Sequence, residues 1–432
     1  MADKTADCFK YIGKSLPIND GQAKATGRIK YTGDMVLDGM LYAKLVFSDI
    51  PHGRIISIDV TRAMAIPGVI KIYTCYNTPK VKFNSQSWFV GQQNLEDQEL
   101  FPEVVRYIGD TVAAVLAKDK ATAERAATLI KIEYEHFLHV IDPEEAVKGN
   151  VQIHDSGNPF FTLEVKCGDV ETVFSHTAGV EIVKDRVETP KIHHAAMETH
   201  VCIAVSDHND RITVYSPCQI MYSVRMIVAK VLGLPFHKVR VIKTPIGGSF
   251  GGKQEVTLEP YCALFAQQAG KPVKIEFNRQ ESIVSTRTRT KTIGYVKTAV
   301  DPAGRILARD MDMVVDTGAY TSNGTIICRA MGKKLFRLYR IGHQRYRSTV
   351  VHTNTPIAGA ARGYGSPQVQ TIAEINLDHA ARRLNLDPVE FRLKNLVHPY
   401  DADPSGGPPL GNAQVINCVL KGAQEFDWQA KW

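Results

Sequence analysis

Apolar positions along this chain switch repeatedly between the two-residue period of strands and the wider spacing of helices. Residues 40–47, 55–60 and 69–73 alternate or run apolar over strand-like lengths, and each predicts a strand. Residues 110–117 carry an almost unbroken apolar run and predict a strand buried on both faces. From 120 to 130 the spacing turns helical, with Ala121, Ala123, Ala126 and Ala127 permitting close packing, and 131–134 returns to a strand. Asp142, Pro143, Glu144 and Glu145 combine a cap, a first-position proline and first-turn acids, which predicts a helix start. Residues 149–159 are polar and turn-rich and read as a linker. Beyond it, 201–205 and 212–215 flank Asp207, His208, Asn209 and Asp210 and predict a hairpin. Helical spacing recurs at 220–232 and 256–268. Strand–helix alternation continues to 381, and a loop-rich stretch from 401 leads into a last helix at 415–426.

A length of 432 residues exceeds one ordinary core and predicts two or more domains. The formal charge of +7 is spread along the chain. Its densest basic stretch, 333–347, is broken by Leu335, Leu338, Tyr339 and Ile341, which favours a structural segment over a nucleic-acid surface. No apolar run is long enough to cross a bilayer, and residues 1–7 are polar without a secretion core. The expectation is a cytoplasmic protein with no membrane and no nucleic-acid partner. Eight cysteines (Cys8, Cys75, Cys167, Cys202, Cys218, Cys262, Cys328 and Cys418) form no C-x-x-C pair. This argues against a zinc ribbon, an iron–sulfur cluster held by this chain alone, or a secreted disulfide framework.

The chemistry concentrates at Gly247, Gly248, Ser249, Phe250, Gly251, Gly252 and Lys253, between the strand predicted at 239–243 and the helix at 256–268. Glycines let a backbone take positive φ and approach a bulky polar group, and the N–H groups of such a loop form a nest for an anion. A second loop, Ala361, Arg362, Gly363, Tyr364, Gly365, Ser366, Pro367 and Gln368, repeats the theme. The first loop has the G-x-x-x-x-G-K spacing of a nucleotide phosphate loop. Gln254, however, stands where that loop needs Ser or Thr for Mg²⁺, and Phe250 is a bulky neighbour for phosphates. A tight turn that only packs a strand on a helix is the plainer reading. Gln219, at a strand-to-helix junction, is a third polar station of the same domain.

With these stations in order, the chain resembles the large, molybdenum-binding subunit of the xanthine dehydrogenase family of molybdenum hydroxylases over nearly its whole length. Further echoes are Gly27, Arg28 and Asp34; Pro51, His52, Gly53 and Arg54; Gly109 and Asp110; and Asp316, Thr317, Gly318, Ala319 and Tyr320. The resemblance implies an α+β fold: a hammerhead-like α/β domain at 1–148, a linker at 149–159, and the first half of a molybdopterin-binding α+β domain at 160–432. It implies molybdenum held by a pterin dithiolene (simple molybdopterin or its cytosine dinucleotide) and not by side chains, with hydrogen bonds and shape supplied by the protein. By position, Gln219 would donate its amide toward the molybdenum centre. Gly248, Ser249, Phe250 and Gly251 would present backbone N–H groups, Ser249 replacing a usual glycine, and Arg362 would fix the anionic cofactor. Tyr364 matches an aromatic that stacks on planar substrates. Gln254 matches a position held by Glu in animal enzymes acting on purines, and Arg329 a substrate-facing arginine. The His193, His194, Glu198, His200 segment matches a structural turn, with Thr199 where the family usually has Pro.

The implied reaction is hydroxylation of a planar N-heterocycle, purine or nicotinate-like, with water as oxygen donor and a Glu as general base. No residue here matches that Glu; Glu255 adjoins the glycine loop at a different family position. Either the enzyme is split between two polypeptides or the gene is truncated; split molybdenum subunits occur in the family, so the base is expected on a partner chain, a second molybdopterin-domain subunit. An iron–sulfur subunit and an FAD subunit are expected beside it. The loop at 361–368 lacks the Cys of the carbon monoxide dehydrogenase branch. Two other readings stay open: a P-loop nucleotide hydrolase, and a non-catalytic assembly subunit of the same fold.

Overall fold

The strands predicted at 40–47, 69–73 and 110–117 form as Leu41–Phe47, Val69–Thr74 and Thr111–Ala117 in a computed structural model that describes residues 9–89, 92, 95–176 and 178–432. The polar segment 1–7 and Cys8 lie outside the described residues. All of Thr111–Ala117 is buried, as its unbroken apolar run requires. These strands occupy one end of a seven-stranded sheet. Its order is Val239–Lys243, Ile212–Ser216, Val201–Ser206, Val273–Glu276, Leu41–Phe47, Thr111–Ala117 and Val69–Thr74. The seam is a parallel pairing of Leu41, Tyr42 and Ala43 with Val273, Lys274 and Ile275. Residues on both sides of the 149–159 segment thus share one sheet and one core, in which Tyr73 stacks on Phe265 at 4.1 Å.

Local chemistry sets most element boundaries. Asp142 Oδ1 accepts from the N–H groups of Glu144 and Glu145 at 2.8 and 3.1 Å, starting the helix Pro143–Val147. Asp119 caps Lys120–Ala127 through Thr122 N–H at 2.8 Å, and that helix ends three residues short of its predicted limit. The hairpin between Val201–Ser206 and Ile212–Ser216 closes where Asp207 accepts from Asn209 and Arg211 N–H groups. The helix predicted at 256–268 instead begins at Glu259 and runs to Ala269. Pro260 sits in its first turn, where a missing N–H costs nothing. The residues before it are drawn into buried polar contacts, so apolar spacing alone overextends the helix.

The second layer is a five-stranded sheet ordered Pro159–Cys167, His343–Val351, Ile306–Asp316, Lys291–Val300 and Glu181–Thr189. Helices Gly324–Leu335 and Ser366–Arg383 bury Ile327, Met331, Val369 and Ile372 against Val296, Met311, Met313 and Tyr346. In the basic stretch 333–347, Arg345 pairs with Asp310 and Glu171, both at 2.6 Å, and Arg347 pairs with Asp312. These charges are used within the fold. The cysteines among the described residues are free thiols. No helix among those residues is long and apolar enough to cross a membrane. The glycine loop leaves the edge strand Val239–Lys243, and the Arg362 loop leads directly into Ser366–Arg383. Each loop is therefore anchored on a rigid element.

Candidate functional site

Backbone hydrogen bonds join the three stations named from the sequence. Gln219 N–H donates to Lys253 C=O at 2.8 Å, and Arg362 N–H donates to Phe250 C=O at 2.9 Å. Gly252 and Gln254 N–H groups turn inward to Ser249 and Gly251 C=O at 2.8 and 3.0 Å. Gly247 N–H goes to Glu198 Oε2 at 2.8 Å. Between them the N–H groups of Gly248, Ser249, Phe250 and Gly251 donate to no protein acceptor among the described residues. The loop therefore leaves consecutive donors unpaired, as an anion nest requires.

Packing dictates this shape. Gly251 has φ +103°, and a Cβ there would stand 2.5 Å from Ala360 O, so the two loops touch backbone to backbone. His194 Nε2 bonds Ala360 O at 2.8 Å and His200 Nε2 bonds Gly252 O at 3.0 Å. Burial pushes the His200 imidazole down to about 3, which keeps it neutral and suits it to a structural contact. Glu198 Oε2 also holds Lys253 Nζ at 2.6 Å, and Lys253 is only 4% exposed. The His194–Glu198 segment is thus a brace for the loop. The lysine that a phosphate loop would need is already paired.

Each loop carries an aromatic residue in the left-handed region: Phe250 at φ 51° and Tyr364 at φ 46°. Such a conformation costs a bulky residue on the order of 1–3 kcal/mol and persists only when the surroundings over-determine it. Phe250 is 51% exposed and belongs to no buried core cluster. Tyr364 is anchored by its hydroxyl to Asn323 Oδ1 at 2.9 Å, and Lys334 Nζ donates to the Gly363 and Tyr364 carbonyls at 2.6 and 2.8 Å. Burial raises the Tyr364 phenol well above its ordinary range. Arg289 Nη2 holds Arg362 C=O at 2.8 Å, while the Arg362 side chain itself is exposed.

Two amides beside the loop are incompletely satisfied. Gln219 Oε1 and Gln254 Nε2 are buried without a hydrogen-bond partner. A buried polar atom with no partner costs about 1–3 kcal/mol, so such atoms mark places where something else completes the bonding. Arg329 is placed differently. Ile327 and Met331 of its helix touch Gly365, and residue 329 lies about 200° around the helix from either. Its guanidinium sits over the Phe161 ring at 4.8 Å.

Sequence reasoning missed the role of Glu255. It is 2% exposed and accepts from Arg287 Nε at 2.7 Å, Asn323 Nδ2 at 2.6 Å, Ala360 N at 3.0 Å, Ser85 Oγ at 3.3 Å and the Ser322 hydroxyl. This carboxylate ties both loops to Asn323, the Tyr364 partner that immediately precedes the helix Gly324–Leu335. An acid directly after a glycine loop was the only sequence signal, and it does not reveal burial.

The molybdopterin cofactor-binding domain family matches residues 153–396, and the aldehyde oxidase and xanthine dehydrogenase a/b hammerhead domain family matches 26–137. The chain belongs to the xanthine dehydrogenase family of molybdenum hydroxylases. It is 38% identical over 418 residues to the xanthine dehydrogenase molybdenum-binding subunit of Escherichia coli O157:H7, covering 95% of this chain and 55% of that one. The nicotinate dehydrogenase large molybdopterin subunit of Eubacterium barkeri is 30% identical over 419 residues, with 96% of each chain covered. Among solved structures, quinoline 2-oxidoreductase from Pseudomonas putida 86 superposes with a TM-score of 0.89 at 28% identity, over 97% of this chain and 54% of that one. The chain spans about half the length of the first of these relatives. Within the family's fold, the unpaired N–H groups of residues 248–251 and the unpaired Gln254 amide nitrogen fit an anionic, hydrogen-bond-accepting cofactor, whereas the unpaired Gln219 Oε1 is an acceptor and calls for a donor.

Proposed function

We propose that this chain is the molybdenum-cofactor-binding subunit of a multi-subunit hydroxylase that oxidises a planar N-heterocycle with water as oxygen donor. The observation that carries the reading is the run of unpaired N–H groups from Gly248 to Gly251, with the unpaired Gln254 amide nitrogen beside it. When bound, the molybdenum cofactor supplies the two-electron chemistry of hydroxylation. Gly248, Ser249, Phe250 and Gly251 bind its anionic oxygens through backbone N–H groups. Gln219 donates from a neutral amide that does not titrate, and the exposed Arg362 guanidinium balances negative charge. Gln254, with an unpaired amide nitrogen, and Tyr364, with its hydroxyl pinned to Asn323, are the residues that meet substrate. Stacking of the order of 0.5–1.5 kcal/mol orients a flat ring without holding it alone. The Arg329 guanidinium packs on the Phe161 ring.

Xanthine, nicotinate and quinoline, the compounds named by three of the relatives, are all planar nitrogen heterocycles, which favours that substrate class. The general-base Glu is assigned to a second molybdopterin-domain subunit, with iron–sulfur and FAD subunits completing electron transfer. Met197 beside Gly248 is 91% exposed and Phe250 51%, an apolar surface suited to a covering partner. The reading is tested by purifying the native assembly and measuring molybdenum and released pterin per chain. Near-stoichiometric values are expected. An assembly without pterin would replace this reading with that of a non-catalytic subunit of the same fold.

A further inference from the structure

A second polar cluster, built from residues other than those of the glycine loop, forms where three distant segments meet. Asp97, His154 and His352 each offer one ligand atom, and these atoms lie within 4.8 Å of one another. Asp97 comes from the first part of the chain, His154 from the 149–159 segment, and His352 from the end of the strand His343–Val351. The His352 side chain is 0% exposed and that of Asp97 5%. Asp97 Oδ2 accepts from Thr321 N–H at 2.7 Å, but Asp97 Oδ1 has no partner, and neither does His352 Nδ1. A nine-tenths buried carboxylate with a free oxygen is costly unless something else binds it.

We propose that Asp97, His154 and His352 bind one divalent transition-metal ion of the zinc type, separate from the molybdenum site. Two imidazoles and a carboxylate are the ligand set that suits such an ion, and three protein ligands leave a fourth position for water. The spacing fits ligation through Nε2: His352 Nε2 stands 3.5 Å from Asp97 Oδ2, which places the ring proton on the still unpaired His352 Nδ1, while the free Asp97 Oδ1 turns to the same ion only if the carboxylate binds through both oxygens. Two ligands of one tetrahedral zinc, each at about 2.0–2.2 Å, stand roughly 3.3–3.5 Å apart. His154 Nε2 bonds Ala319 C=O at 2.7 Å, which makes that nitrogen the N–H and leaves Nδ1 with a lone pair. Orientation of a ligating imidazole by a backbone carbonyl is the usual outer-shell arrangement. His352 Nε2 lies 3.2 Å from Thr321 Oγ1, a contact the ion would displace. Asp97 and His154 also line a cleft of about 400 Å³, which gives an entry path and room for the water ligand. Arg106 lines the same cleft and opposes a cation there. Its guanidinium is held by Ile153 C=O at 3.1 Å and Val104 C=O at 3.0 Å, and the Asp97 charge offsets it. Bound metal would clamp residues 97, 154 and 352 and so fasten the first part of the chain to the five-stranded sheet.

The test uses the full 432-residue chain with whatever subunits copurify, stripped with a chelator and dialysed against zinc chloride. Metal is counted by mass spectrometry, and the unfolding midpoint is followed in parallel. One zinc per chain and a higher midpoint are expected. Asp97→Asn and His154→Gln should each weaken binding at least about 100-fold, since outer-shell changes alone cost 10–100-fold. Substitution of the exposed His208 and His237 should leave binding unchanged. Cobalt(II) bound to the unaltered chain should show the intense visible bands of a tetrahedral site, a readout that requires no variant to fold. Zinc binding that survives Asp97→Asn, or a cobalt spectrum no different from the hydrated ion, would overturn the assignment.

Discussion

Gln254 and Glu255 are adjacent in sequence and opposite in circumstance. Glu255 is bonded on both oxygens by partners from four distant segments, whereas Gln254 keeps an amide nitrogen buried with no partner. One residue is consumed by the fold and the other is left over from it. The same division separates the two layers of the site. Lys253, His194 and His200 are engaged beneath the glycine loop, while the N–H groups of residues 248–251 above it are not. Saturated polar groups hold a shape; unsaturated ones in a fold that is otherwise satisfied mark where a ligand completes the bonding.

The sharpest way to break this contrast is Glu255→Ala. It leaves the Arg287 guanidinium, 4% exposed, without its anion. A loss of about 3–5 kcal/mol in denaturant unfolding is expected; a loss below about 1 kcal/mol would show that the hub does not hold the loops. Asp110 offers a second kind of buried acid. Tyr320 O–H and Arg106 N–H bond its Oδ2 at 2.7 and 3.1 Å, yet burial pushes its pKa up to about 6 from 3.8. The stability tied to its protonated form is fully present below about pH 3.8 and is lost as pH rises through about 6. That amounts to about 2–3 kcal/mol. Asp110→Asn keeps an acceptor for both donors and should flatten the fall in unfolding free energy across that range.

Gly251→Ala tests whether loop shape, separate from the hub, governs cofactor retention. The substituted residue would have to hold φ near +103° with its Cβ against Ala360 O. A cost of about 1–3 kcal/mol is expected, together with loss of pterin from the purified assembly. Retained pterin would mean the loop tolerates a different path. Smallest in stability are Gln219→Ala and Gln254→Ala, each expected to shift unfolding by less than about 0.5 kcal/mol because an unpaired atom is being removed. Gln219→Ala should nevertheless lower molybdenum occupancy, and Gln254→Ala should raise KM more than it lowers kcat. A large stability loss from either would place that amide among the structural groups.

Much of this was readable in order along the chain. The strands at 41–47 and 111–117, the Asp142 cap and the 201–216 hairpin follow from short-range pattern, and the structure places them within a residue or two. The stations at 219, 247–253 and 361–368 were legible as glycine-rich or polar interruptions, and the structure links them through backbone bonds. The helix start at Glu259, the fusion of early and late strands in one sheet, the left-handed Phe250 and Tyr364, and the meeting of Asp97 with His154 and His352 were not. Each depends on residues brought together from far away; Ser85 and Glu255, which share a hydrogen bond, are 170 positions apart.

The sequence alone therefore determined what contiguous residues decide: where backbone sterics favour strand, helix or turn, and where glycines free the chain to bend. Tertiary structure decided which polar atoms are spent and which remain, because satisfying a buried donor or acceptor depends on a partner that only the packed chain delivers. That is why a glutamine and a glutamate at consecutive positions, alike in the sequence, end as an amide with an unpaired buried nitrogen and a keystone of the fold.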